Sequence, residues 1–261
     1  MNSEVKLECR DNPLFVNTLV KAYSVLQAFD CGRQYLGLSE LVKLTGMNKS
    51  SVQRFTYTWE QLGLLQKSPV TKAYRLTPKC LDLGFRHLRS EPLVEIATPR
   101  LADASHRLGV NVNLSVMDDT DIIYLLRFPS EKQTLNAMLP GRRVPAYCSS
   151  GGRMLMSFLG DEAVDALLNR SKLAPITRYT IYEQAQIKAQ IAQARENGFA
   201  ICDQECLLGE IAISVPIFNL ANEAVANLHV ALSSTDWSEE RIKSELVNEL
   251  IAIARTITPP C

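Results

Sequence analysis

The chain has 261 residues, 46% apolar and 21% charged, with equal numbers of acidic and basic side chains, which is material for one large or two moderate globular domains. No apolar run approaches the roughly 20 residues needed to cross a bilayer, and the opening MNSEVKLECRDNP has three acids and no apolar signal core, so a cytoplasmic protein without a membrane partner is expected. Seven scattered cysteines, odd in number and without a CxxC pair, indicate neither a disulfide framework nor a zinc knuckle.

The zero net charge conceals an asymmetry. Residues 14–90 carry 11 Lys and Arg against 4 acids, whereas residues 91–261 carry 15 against 21. A basic segment joined to an acidic remainder suits a phosphate-contacting module on a domain of another purpose, although basic patches also occur without partners.

In LVKAYSVLQAF, Leu19, Ala22, Leu26 and Phe29 recur at helical spacing and predict a first helix ending near Asp30. Ser39 is placed to N-cap a short second helix carrying Leu41, Val42 and Leu44, with Gly46 closing it in the left-handed conformation. Asn48 then caps a third helix whose Val52, Phe55, Trp59 and Leu62 share one inward face. Its other face presents Lys49, Ser50, Gln53, Arg54, Tyr57 and Thr58, with Ser51 beside them, side-chain types that pair with base edges and phosphates. Short capped helix, glycine turn and longer helix with a polar face make a helix-turn-helix. After Gly63, LLQKSPVTKAYRLT predicts two short strands around a turn at residues 68–72, a wing whose Lys67, Lys72 and Arg75 would meet phosphates. The plain alternative is a three-helix domain with a solvated polar face; the conjunction of cap, stripe, wing and local charge weighs against it.

Beyond the wing, Leu81, Phe85 and Leu88 form a stripe on a linker helix, available for a two-fold contact or for packing on its own wing, and Pro92 and Pro99 punctuate the next stretch of chain. Val110, Val112, Leu114 and Val116 alternate with Asn111, Asn113 and Ser115, and a DDTD turn leads into IIYLL, which predicts an antiparallel hairpin with one wetter face. GEIAISVPIF and AVANLHVAL predict a second hairpin. Helices near Ser150 and over residues 183–197, the latter closed by Gly198, complete an α+β pattern. Ser149, Ser150, Gly151 and Gly152 directly precede RMLMSFL; small residues there let a ligand carboxylate approach backbone N–H groups, while the plain reading is an N-cap with glycines for close packing.

Four segments in register, LSELVKLTGMNKSSVQRF, YRLTPKCLDLG, RRVPAYCSSGGRML and ARENGFAICDQECLLGEIAISVPIF, resemble the IclR family of bacterial transcription regulators. The resemblance implies a winged helix-turn-helix, a linker helix and a GAF-like antiparallel-sheet domain that binds a small effector, assembling as homodimers or homotetramers on double-stranded operator DNA. It implies an effector pocket with Ser149 to Gly152 as one wall and Asp203, Glu205, Ile211, Ala212, Ser214, His229 and Ala231 opposite, with Met138 and Arg143 nearby. Ala212 stands where many relatives place Cys or Ser, and His229 where they place small or polar residues. His229 can serve a ligand carboxylate or phenol, or be a structural histidine. RRVPAY looks most like the branch that regulates degradation of aromatic acids, which implies an aromatic or other small carboxylic acid as effector.

The expected divisions are a tail over 1–13, the winged helix-turn-helix over 14–77, the linker over 78–95 and the effector domain over 96–258. An enzyme is the rival reading, but the chain has three histidines and no HExxH, GxSxG or P-loop; no cofactor or catalytic residue is assigned. Cys202, Cys206 and His229 are at most a partial zinc site. A second rival is a winged helix that docks on another protein.

Overall fold

The computed structural model describes residues 12–30, 32–130 and 139–260. The chain divides into two compact units between Arg86 and His87.

In the first unit, α1 (Asn17–Gln27), α2 (Leu38–Thr45) and α3 (Lys49–Gln61) precede a two-stranded ladder of β1 (Leu65–Lys67) and β2 (Tyr74–Leu76). Its core is Val25, Ala28, Leu36, Leu41, Val52, Leu65 and Tyr74, with Phe55 and Trp59 half-buried against it. The helix-turn-helix closes as expected at Gly46 (φ 68°), and the Asn48 side chain caps α3 by accepting from Ser51 N–H at 2.8 Å. Three details differ. Gly37, not Ser39, caps α2, and the Glu40 carboxylate accepts from Gly37 N–H at 2.7 Å. The inward line of α1 centres on Val25, leaving Leu19 exposed. Leu62 is exposed because α3 ends at Gln61 and Gly63 turns left-handed (φ 77°), while Thr56 is fully buried. The Trp59 indole N–H donates to the Ala22 carbonyl at 2.8 Å, fixing α3 on α1.

A helix α4 (Leu81–Ser90) leads to α5 (Pro92–Leu108), whose Leu93 and Val94 already belong to the core of the second unit. Pro99 does not interrupt: it lies inside α5. The strands of this unit are β3 (Asn111–Asp118), β4 (Asp121–Phe128), β5 (Arg143–Pro145), β6 (Ala200–Asp203), β7 (Glu210–Phe218) and β8 (Ala224–Ser233). They form one antiparallel sheet in the order β5-β4-β3-β8-β7-β6, so the two expected hairpins sit side by side through β3 and β8.

One sheet face meets α5 and α10 (Val247–Arg255), which comes after α9 (Glu239–Glu245). Val112, Leu114, Ile213, Val215, Leu228 and Val230 make that core. The other face is covered by α6 (Ser150–Met156), flanked by α7 (Asp161–Arg170) and α8 (Gln184–Asn197). The face expected to be wetter is therefore dry: Asn111, Asn113 and Ser115 are buried, because helices cover the sheet on both sides.

Candidate functional site

In the first unit, Lys49, Ser50, Gln53, Arg54, Tyr57 and Thr58 are exposed along one side of α3, with Ser51 half-buried and Ser39 exposed on α2. The Asn48 amide is engaged as the cap, and the Thr58 hydroxyl donates to the Arg54 carbonyl at 2.9 Å. On the wing, Lys72 sits exposed at φ 60°, and the Lys67 ammonium lies 5.2 Å from the centre of the Tyr74 ring. Arg75 is held across the ladder: its guanidinium donates to Gln66 Oε1 at 2.7 and 2.9 Å and to the Tyr35 hydroxyl at 3.4 Å.

In the second unit, strand alternation turns Tyr124, Glu210, Ala212 and His229 toward α6, where they enclose a small cavity. Ser149, Ser150 and Gly151 form its helical wall, Arg142 and Val144 its lip, and Cys202, Glu205 and Cys206 its far side. Its free space is about 20 Å³, room for one or two waters. An organic acid therefore enters only with an outward shift of the wall.

Several wall groups are already committed. Arg153, fully buried on α6, forms a two-pronged ion pair with Glu205 at 2.6 and 2.7 Å, and its Nε donates to the Tyr147 carbonyl. Glu205 also accepts from Ile181 N–H at 2.9 Å. Asn227 Oδ1 accepts from the Ser115 and Ser214 hydroxyls, both at 3.0 Å, tying β3 and β7 to β8. Gly151 packs on this junction: a Cβ there would fall 2.7 Å from Asn227 Oδ1. At Gly152 a Cβ would overlap the Ala146 backbone, so both glycines are needed for close packing.

Other wall groups keep unused hydrogen-bonding capacity. The Ser150 hydroxyl is buried without a hydrogen-bond partner. His229 receives the Asn113 amide at Nδ1 (3.2 Å), which leaves Nε2 to carry the ring proton, and its ring lies 5.6 Å from that of Tyr124. Burial, aided by the Arg127 charge, holds the His229 imidazole down at about 4, so it is neutral at pH 7. Burial pushes the Tyr124 phenol far up and raises the Glu210 carboxyl, which Arg142 and Arg127 pull back only in part.

Comparison with known proteins adds the family. The "Bacterial transcriptional regulator IclR C-terminal" model matches residues 85–259, and the "IclR helix-turn-helix domain" model matches residues 18–69. The chain belongs to the IclR family. It is 29% identical to the Pca regulon regulatory protein of Pseudomonas putida over 247 residues, 94% of this chain and 84% of that one. It is 28% identical to the HTH-type transcriptional regulator KdgR of Escherichia coli over 246 residues, 94% of this chain and 93% of that one. An IclR homolog from Microbacterium hydrocarbonoxydans, crystallised with 4-hydroxybenzoate, shares the fold with a TM-score of 0.75 at 21% identity, covering 92% of this chain and 97% of that one. Its IclR membership makes the chain a transcriptional regulator and not an enzyme.

Within this IclR fold, the expected pocket residues divide. Ser149, Ser150, Gly151, Glu205, Ala212 and His229 line the cavity. Ser214 and Ala231 share its sheet face without lining it, and Gly152 packs on the Ala146 backbone. Ile211 points into the opposite core, because β7 alternates, and Asp203 is exposed at the end of β6. Arg143 turns away from the cavity to Asp121 at 3.0 Å and Asp118 at 2.5 Å. Met138 lies outside the described residues. The sequence reading missed Tyr124, Arg142, Val144, Cys202, Cys206 and Glu210 as lining. Alternation from His229 through the β7–β8 pairing was the available signal for Glu210. Cys206 Sγ lies 3.5 Å from Cys148 Sγ and Cys202 Sγ accepts from Arg153 at 3.3 Å; among the described residues no set of three His, Cys, Asp or Glu is arranged to hold a metal.

Proposed function

We propose that this regulator binds double-stranded operator DNA through the outer face of α3 and the wing, and that a small carboxylic acid, aromatic or aliphatic, controls it from the cavity under α6. The DNA reading is supported by the exposed Lys49, Gln53, Arg54 and Tyr57 on a helix whose other side is anchored by Val52 and Trp59. The effector reading rests on one observation above all: a buried, unpartnered Ser150 hydroxyl, a neutral His229 and a cationic Arg142 line the same small cavity. The 4-hydroxybenzoate held by the Microbacterium relative agrees with this class. The exposed Leu81 and Phe85 of α4 supply the contact through which two copies pair as a homodimer, the unit of any homotetramer, and so match a two-fold operator.

The test is an anisotropy titration of the full chain on duplex from its own upstream region, at several salt concentrations, with and without a panel of small acids. Binding that weakens steeply with salt and shifts with one acid supports the reading. Sequence-independent binding that no acid alters contradicts it. Should Gln53→Ala and Arg54→Ala leave base preference unchanged, α3 is not the reading helix, and a protein-docking winged helix becomes the better account.

A further inference from the structure

The cavity contains an acid that no donor holds among the described residues. Glu210, at the start of β7, is 6% exposed and faces the cavity beside Ala212. Neither of its carboxylate oxygens forms a hydrogen bond or ion pair among the described residues: its only favourable influences are the more distant charges of Arg142 and Arg127. Glu205 shows the contrast, since Arg153 and the Ile181 N–H satisfy it. Without protein donors, this carboxylate has only the water of the cavity to bond, and it loses that water when a ligand enters unless the ligand brings a donor. A buried orphan lines the same space: Ser150 Oγ, in a residue 2% exposed, has no hydrogen-bond partner.

We propose that Glu210 and Ser150 form a donor-reading subsite, so that the effector is a carboxylic acid that also carries an O–H or N–H group, which donates to the Glu210 carboxylate. This rests on the effector reading given above and narrows it from small acids in general to hydroxy or amino acids. The effector's own carboxylate is repelled by Glu210 and turns to the Arg142 lip, which fixes the direction in which the molecule lies. An analogue of the same size without the donor leaves Glu210 desolvated and unpaired, so the site rejects it.

Calorimetric titration of the full chain with matched probes tests this: 4-hydroxybenzoate and 4-aminobenzoate against 4-methylbenzoate, and glycerate against butyrate. At least one donor-bearing acid is expected to bind about 10-fold or more tighter than its mate. In Glu210→Leu that preference should fall to within about 2-fold, with a thermal midpoint no lower than wild type, because a carboxylate that no protein donor holds has been removed. Glu210→Gln, which keeps the shape and loses the charge, serves if the leucine variant does not fold, and is expected to lose most of the preference. Equal binding of donor and mate overturns the subsite while leaving the effector cavity standing. Binding of none of the five probes overturns both, and a preference that survives in both variants shows that Glu210 is not the reader.

Discussion

The two units handle polar side chains in opposite ways. In the first, Lys49, Gln53, Arg54 and Tyr57 stand in solvent while Val25, Leu41 and Val52 fill the core. In the second, Asn113, Ser115, Asn227, His229 and Glu210 are buried on a sheet face beneath a helix. The difference fits the proposed partners: a polyanionic duplex would be met by an exposed, cation-bearing surface, whereas a small effector would be distinguished by buried polar groups. The buried face needs internal compensation, supplied by the Arg153–Glu205 pair and the Asn227 hydroxyl network.

Substitutions sharpen the contrast, beginning with the buried pair. Arg153→Met strands Glu205 without its counter-ion and should cost about 3–5 kcal/mol of unfolding free energy, read by urea denaturation. A loss below about 1 kcal/mol would mean water reaches the pair. His229 carries a pH effect: with its folded pKa near 4 against an ordinary 6.5, the unfolded chain takes up the proton first, so stability is lost as pH falls from about 6.5 toward 4. The loss is at most about 3 kcal/mol, and His229→Gln should remove it. Glu210, raised, acts with the opposite sign but is present in both proteins and cancels from the difference.

On the exposed side, Arg54→Ala should cost about 1–3 kcal/mol of operator affinity with an unchanged thermal midpoint, since the side chain supports nothing in the core. A fall in the midpoint instead would blur the division between the units. Asn48→Ala should cost about 1 kcal/mol of stability by removing the α3 cap, measured by thermal unfolding.

Much of the first unit was legible because its signals are local: Gly46, Asn48 and Gly63 each declare a helix end within one turn of chain. What was misjudged there, Leu19 and Leu62, depends on which side of a helix meets its neighbours, a tertiary fact. In the second unit, alternation exposed both hairpins but not that helices would cover each sheet face, so Asn111, Asn113 and Ser115 read as wet. The cavity was half legible. Ser149 to Gly151 and His229 were visible as motif and alternation, whereas Tyr124, Arg142 and Cys206 converge only through sheet order and the fold of the segment after β6. Ile211 was misplaced by taking a contiguous run where a strand presents every second residue.

Occupation of the buried cavity is proposed to govern DNA binding by α3 and the wing. The operator dissociation constant of the full chain, with and without a saturating acid from the panel at fixed salt, decides it. A shift of about 5-fold or more, in either direction, is predicted from a coupling of about 1–3 kcal/mol. An acid that binds the cavity yet leaves operator affinity unchanged would contradict the claim.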